Sequence, residues 1–210
     1  MTSGADHTDR MNDFARRRVA ELAGRGFGGY ILKRGSPSCG MERVKLYAES
    51  GARSRSGTGL FARALGEALP LLPVEDEGRL ENARRRENFI TRVFAYRRLA
   101  ALRESRPRPA DVAAFHAAHE YLLLAHRPAA YARLGGLVAE LEDPPRDRGL
   151  DRYRDGFMRA LCVPATPEKH GRVRRRIMSV FVNRLSAREK RELLGVISDH
   201  GRGLILIRRS

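Results

Sequence analysis

The sequence predicts an α/β unit over residues 1–104 followed by an all-α unit, a helical bundle, over residues 105–210. Three observations carry this. The chain opens on a helical stripe, a short β-prone run and a small-residue loop, in that order. A double-proline break stands at Ser105-Arg-Pro-Arg-Pro109. After it, the patterning is purely helical.

Asp9 to Leu22 places Met11, Phe14, Ala15, Val19 and Leu22 at helical spacing, and Gly24 and Gly26 end the segment. Gly29-Tyr-Ile-Leu-Lys33 is short and largely apolar, as a buried strand is, and it runs into Gly35-Ser-Pro-Ser-Cys-Gly40. A loop at the C-terminal end of a strand is where α/β sheets place their sites. Met41 to Tyr47 is read as a short strand and Ala48 to Thr58, rich in Gly, Ser and Arg, as a mobile loop. Gly59 to Leu69 is a short amphipathic helix stopped by Pro70. Leu71-Leu-Pro-Val74 suits a strand only at an edge, because Pro73 has no N–H for a ladder. Asn82 to Glu104 is a long helix. Beyond the break, helices are expected at Ala110–Ala125, Pro128–Leu141, Leu150–Leu161, Pro167–Leu185 and Ala187–His200. Ser186 and Glu189 have the spacing of a capping box for the last.

Apolar residues make up 42% of the chain, ordinary for a globular protein. No run approaches the ~18 apolar residues of a membrane span, and the first ten residues lack a secretory apolar segment. The expectation is a soluble cytoplasmic protein that does not enter membranes. Two cysteines, Cys39 and Cys162, make no disulfide framework, and they cannot supply the three or four thiolates that hold an iron–sulfur cluster. The net charge is +16; lysine fills only positions 33, 45, 169 and 190, which leaves 37 arginines. Such a charge attracts nucleic acid weakly and without sequence preference. The arginines are spread along the chain, with runs at Arg84–Arg86 and Arg172–Arg176, as on solvated helix faces.

The loop Ser36-Pro-Ser-Cys-Gly40 presents a thiol between a proline and a glycine. By itself this is a loop cysteine or a metal ligand. The wider pattern is more specific. Asp6-His-Thr with Met11, Lys33 with the Ser36–Gly40 loop, Val44, Tyr47, Gly57-Thr-Gly-Leu-Phe-Ala62, Leu72-Pro-Val74, Glu77-Gly-Arg-Leu80, Arg86-Glu-Asn-Phe-Ile90 and Arg92-Val-Phe94 follow one another over roughly residues 4 to 98. This pattern resembles the thiouracil-desulfurase-like family (domain-of-unknown-function family 523). Phe115-His116, His119, Tyr121, Leu124-Ala-His126, Tyr131, Leu134-Gly135, Leu137-Val-Ala139, Thr166 with His170, Leu185-Ser186, Glu189-Lys190 and Glu192-Leu193 resemble the YbgA-type domain (domain-of-unknown-function family 1722). That domain is commonly fused behind the first.

The resemblance implies a small bacterial two-domain protein whose front half acts on thiolated pyrimidine bases or nucleosides. In that family three cysteines hold a [4Fe–4S] cluster, whose open iron takes the thiocarbonyl sulfur while water replaces it on carbon. Cys39 matches the last cluster ligand, and Ser36 matches a catalytic position that hydrogen-bonds the substrate or relays a proton to it. The other two ligand cysteines belong to segments ahead of the Asp-His-Thr motif, and here five residues precede Asp6. The front half is therefore read as a truncated Rossmann-like three-layer unit, without its opening strands and a candidate carboxylate, and impaired in cluster assembly. The family's C-terminal extension is likewise read as absent after Leu206-Ile-Arg-Arg-Ser210. A fragment, a late-start product or a degenerate copy would look like this. A sheet lacking its first strand would expose an edge and the apolar faces of Tyr30, Ile31 and Leu32, through which copies would associate.

His116 and His119 are spaced i, i+3 with Glu120 beside them, and His126 lies about two turns on. The set reads as a hydrogen-bonded histidine face, as a zinc or iron site, or with His170 and the basic run as an anion or nucleotide pocket. The rival to an enzyme is a basic helical protein that binds nucleic acid or nucleotide without catalysis.

Overall fold

The computed structural model describes residues 7–47, 53–142 and 147–201. Asp6, residues 48–52 of the expected loop and residues 202–210 lie outside the described residues. The chain divides into two compact units, Met1–Ala101 and Leu102–Ser210. The expected boundary was the proline break at residues 105–109; the division falls in the last turn of the preceding helix.

In the first unit, α1 (Thr8–Ala23) buries Ala15, Val19 and Leu22, a stripe at helical spacing. β1 (Tyr30–Leu32) pairs in parallel with β4 (Val74–Asp76), in register from Tyr30 opposite Val74 to Leu32 opposite Asp76. Pro73 lacks an N–H, so the strand begins after it; its carbonyl still accepts Tyr30 N–H at 2.9 Å. α2 (Leu60–Ala68) packs on α1, and Phe61 and Leu65 join Leu32, Leu72 and the α1 stripe in one core. Burying a side chain such as Leu65 contributes about 2 kcal/mol. A single 3₁₀ turn, Arg79–Glu81, leads to α3 (Ala83–Glu104). Asn82 caps α3: its Oδ1 accepts Arg84 N–H at 3.1 Å and Arg85 N–H at 3.2 Å.

Among the described residues the parallel sheet has two strands, with helices beside it. Two expectations need correction. The expected loop at 48–58 contains a strand: β3 (Arg53–Gly57) pairs antiparallel with β2 (Val44–Tyr47) as a separate hairpin. Arg53-Ser-Arg-Ser-Gly57 has no apolar alternation, and a ladder made by backbone groups does not require one. Of the three strand residues foreseen as exposed, Ile31 is exposed, at 55%, and Tyr30 is half-buried. Leu32 is buried in the core, and the Tyr30 ring lies 5.7 Å from that of Phe61.

The second unit is helical: α4 (Pro109–Ala118), α5 (Glu120–His126), α6 (Pro128–Ala139), α7 (Asp147–Leu161), α8 (Pro167–Phe181) and α9 (Ala187–Gly201). Prolines stand at the first turns of α4 and α6, where a missing N–H costs no hydrogen bond. The expected helix 110–125 is broken at His119, whose backbone (φ −105°, ψ 12°) leaves the helical region. Its N–H is shared between the Phe115 and His116 carbonyls, and its ring takes the Phe115 carbonyl as well. The expected helix 167–185 ends at Phe181 and tightens into a 3₁₀ turn, Val182–Arg184. The capping box before α9 is formed: Ser186 N–H and Oγ–H donate to Glu189 at 2.8 and 2.7 Å, and Ser186 Oγ accepts Glu189 N–H at 3.3 Å. These bonds hold the Glu189 carboxyl below the usual range. No helix among the described residues is long and apolar enough to cross a membrane.

Candidate functional site

The loop after β1 is a tight turn built on Ser36. Its Oγ accepts Ser38 N–H at 3.2 Å and Cys39 N–H at 3.3 Å, and its carbonyl accepts Gly40 N–H at 2.8 Å. A side-chain oxygen that satisfies two successive backbone donors fixes the turn as an N-cap does. With two bonds accepted, the Ser36 hydroxyl keeps its hydrogen to donate. The same loop covers the start of α2: Ser38 C=O accepts Phe61 N–H at 2.9 Å and Ala62 N–H at 3.2 Å, and Gly40 C=O accepts Gly59 N–H at 2.8 Å. The loop carbonyls thus take donors that a helix start leaves open. The approach is possible only at glycine. A Cβ on Gly59 would overlap the Ser38 carbonyl and stand 2.8 Å from Cys39 N. Cys39 is half-buried beside the core of its unit, and the other cysteine, Cys162, belongs to the second unit.

Next to this loop, at the C-terminal ends of β1 and β4, lies a cavity of about 550 Å³ lined by Arg34, Gly35, Glu42, Arg43, Asp76, Gly78, Arg79, Asn82 and Arg85. Asp76 and Glu75 are buried carboxylates at the end of β4. Arg79 ties this wall together: its N–H donates to Asp76 Oδ1 at 2.8 Å, and its guanidinium pairs with Glu75 at 2.6 Å and Glu42 at 3.0 Å. Arg43 holds a left-handed φ of 56°, strained for a residue with a side chain. None of these residues stood out in the sequence as a group, because they come from three separate segments. The available signal was the position of residues 34–43 and 76–79 just past two strands.

In the second unit His116, His119 and His126 are all buried, and each uses Nδ1 internally. His116 Nδ1 lies 3.3 Å from Tyr153 Oη; His119 Nδ1–H donates to Phe115 C=O and His126 Nδ1–H to Val163 C=O, each at 2.7 Å. The two carbonyl partners place the proton on Nδ1 of His119 and His126. The His116 ring stacks on Tyr131, 4.6 Å between centroids at 8°, and stands edge-on to Tyr153. Among the described residues, no group of three or more His, Cys, Asp or Glu is placed to hold a metal ion. The arrangement is a hydrogen-bonded aromatic face. Burial is the largest influence on His116 and pushes its pKa down; the Tyr131 backbone and Glu120 raise it, and His119 lowers it. Burial also raises the Tyr153 phenol, which therefore stays protonated.

This has a consequence for stability against pH. With the folded pKa of His116 below its ordinary 6.5, the unfolded chain binds the proton more readily. The neutral ring's contribution is present above that ordinary value and is lost as pH falls from it toward the folded pKa. Urea midpoints of the second unit are expected to fall between about pH 7.5 and about pH 5.5, and to fall less in His116→Gln. Equal pH slopes in the two proteins would contradict this.

The basic run on α8 is partly engaged. Lys169 Nζ donates to His126 C=O at 2.7 Å, Arg176 pairs with Glu120 at 2.7 Å, and Arg172 pairs with Glu168 at 3.7 Å. The first two bonds tie α8 to α5, and the third lies within α8.

Comparison with known families separates the two halves. Residues 1–77 match the family model of 2-thiouracil desulfurase, and residues 120–209 match that of a protein of unknown function, DUF1722. The chain thus carries, one behind the other, a segment similar to each of these two models. The uncharacterized protein YbgA of Escherichia coli (strain K12) is 25% identical over 118 residues, which cover 56% of this chain and 70% of that protein. No solved structure matches. The desulfurase segment contains Ser36, Cys39 and Asp76. The cavity extends past its end, through Gly78, Arg79, Asn82 and Arg85. In the other half, His126 falls within the DUF1722 segment, while His116 and His119 precede it.

The donor set can be tested against the [4Fe–4S] cluster that the resemblance implies. Such a cluster takes three thiolates from the protein in that family, and this chain has two cysteines, in different units. The residues present do not fit it.

Proposed function

We propose that the front unit is a desulfurase-type module that receives a thiolated pyrimidine base or nucleoside beside the Ser36–Gly40 loop. The observation that carries this reading is the loop itself, inside a segment that matches the 2-thiouracil desulfurase family. Ser36 shapes the turn through its two accepted N–H bonds and keeps a hydroxyl hydrogen for a substrate oxygen or sulfur. Cys39 is the thiolate this chain would bring to a cluster. The 210 residues alone are a module with one loop ligand, impaired in cluster assembly and completed by thiolates from elsewhere. β1 pairs with β4 on one side among the described residues, and its open side is the edge through which copies would associate.

The test is iron content. The chain, expressed and reconstituted without oxygen, is expected to hold substantially less than one four-iron cluster per monomer. Stoichiometric iron and sulfide, with the broad absorbance near ~400 nm of iron–sulfur charge transfer, would contradict the ligand count and require thiolates shared between copies. Desulfuration of a thiopyrimidine by this chain mixed with a cluster-bearing relative's opening segment, lost in Cys39→Ala and reduced in Ser36→Ala, would support the module.

A further inference from the structure

We infer that the arginine-lined cavity at the ends of β1 and β4 is a binding site for a phosphate group, free or as a monoester on a nucleoside-sized molecule. The inference goes beyond the desulfurase reading and does not depend on it.

The charge of the lining decides the ligand class. Four arginines face two carboxylates, and both carboxylates are engaged by the same arginine: Glu42 accepts from Arg79 Nη1 at 3.0 Å, and Asp76 accepts Arg79 N–H at 2.8 Å. Arg79 also pairs with the buried Glu75. Arg79 is therefore a fixed, neutralised wall. Arg34, Arg43 and Arg85 form no carboxylate ion pair among the described residues. They converge from three segments: the turn after β1, the approach to β2 and the first turn of α3. With four arginines against the Glu42 and Asp76 carboxylates, the lining is net positive and favours an anion.

Geometry favours phosphate. Guanidinium forks offer paired N–H donors that match oxyanion edges, and a phosphate presents three acceptor oxygens to several forks at once. The N-terminus of α3, held by Asn82, adds positive potential at the same rim. Gly78 makes room for one of the forks: a Cβ there would stand 2.8 Å from Arg34 Cδ and 2.9 Å from its Nη1. The Arg34 stem thus lies across bare backbone. A cavity of about 550 Å³ holds a nucleotide-sized molecule, larger than phosphate alone.

The experiment is calorimetric titration of the full chain at constant ionic strength with inorganic phosphate, uridine monophosphate and uridine. Phosphate and the monophosphate are expected to bind and uridine is not. Arg34→Gln and Arg85→Gln are each expected to weaken binding about fivefold or more, as loss of a charge-assisted fork should. Gly78→Ala, which displaces Arg34 without changing charge, is expected to weaken it in the same direction. Arg84→Gln removes the same charge one residue from Arg85 but does not line the cavity, and it is expected to stay within about twofold. Tighter binding of the monophosphate would assign the rest of the cavity to its nucleoside; equal binding would assign phosphate alone. Uridine binding as tightly as its monophosphate, absence of binding by both phosphates, or a loss in Arg84→Gln equal to that in Arg34→Gln would overturn the site.

Discussion

Replacing Phe157 by alanine is expected to cost about 3–5 kcal/mol of stability, the range for removing a fully buried aromatic ring. Phe157 is fully buried on α7, and its ring lies 5.4 Å from Phe115, 5.5 Å from His119 and 6.0 Å from Tyr153. It packs against α4, the junction residue between α4 and α5, and its own helix, so little can close over the vacated space. The loss should appear in urea unfolding of the full chain as an earlier transition of the second unit. Val180→Ala on α8, where the side chain is 66% exposed, is the comparison and should stay within about 0.5 kcal/mol. Equal midpoints for the two variants would show that the ring cluster is not the centre of this unit.

Gly59→Val is expected to have the largest effect in the first unit, about 3 kcal/mol or more, because the clash is with backbone and no side-chain rotation relieves it. The atoms in the way are the Ser38 carbonyl, which accepts the Phe61 and Ala62 N–H groups, and Cys39 N. Pushing them aside opens the loop and uncaps α2 together. Amide exchange over Leu60–Ala68 should therefore rise along with the loss of stability. Gly66→Ala, inside the same helix with nothing within 4 Å of the added carbon, is expected to be neutral or to stabilise by up to about 1 kcal/mol. If Gly59→Val behaved like Gly66→Ala, the close approach of loop and helix would be wrong, and with it the placement of Ser36 and Cys39.

Much of the helical order was legible because burial leaves a periodic record. Ala15, Val19 and Leu22 are spaced for one face of a helix, and that face is buried. Ser186 and Glu189 stand at the one spacing that lets each satisfy the other's end of the cap. The strand expected at Leu71–Val74 instead runs Val74–Asp76, starting just past Pro73, which has no N–H to donate to a ladder. Where the structure rests on backbone pairing, no such record exists. β3 is a polar run whose strand character comes from its partner, and the break at His119 comes from a ring that captures a carbonyl four residues back.

The candidate site divides in the same way. The sequence by itself determined the Ser36–Gly40 loop as the place to look, the likeness of the two halves to two families, and the shortage of thiolates, since residue types and their count need no coordinates. Only the tertiary structure decided what surrounds that loop. Arg34, Arg43, Asp76, Arg79 and Arg85 are up to 51 positions apart and look like any other arginines and acids of a chain with 41 basic residues. The parallel pairing of β1 with β4 brings the ends of the two strands together, where the Arg79 guanidinium pairs with Glu42 and Glu75 while Arg34, Arg43 and Arg85 face the same cavity. Likewise, the histidine spacing allowed a metal site, an anion pocket or a structural face. Tyr153 and Val163, each 37 residues from the histidine it bonds, supplied partners inside the fold for two of the rings. Electrostatic fields and hydrogen bonds depend on distance in space, and a chain reveals that distance only once its strands and helices have packed.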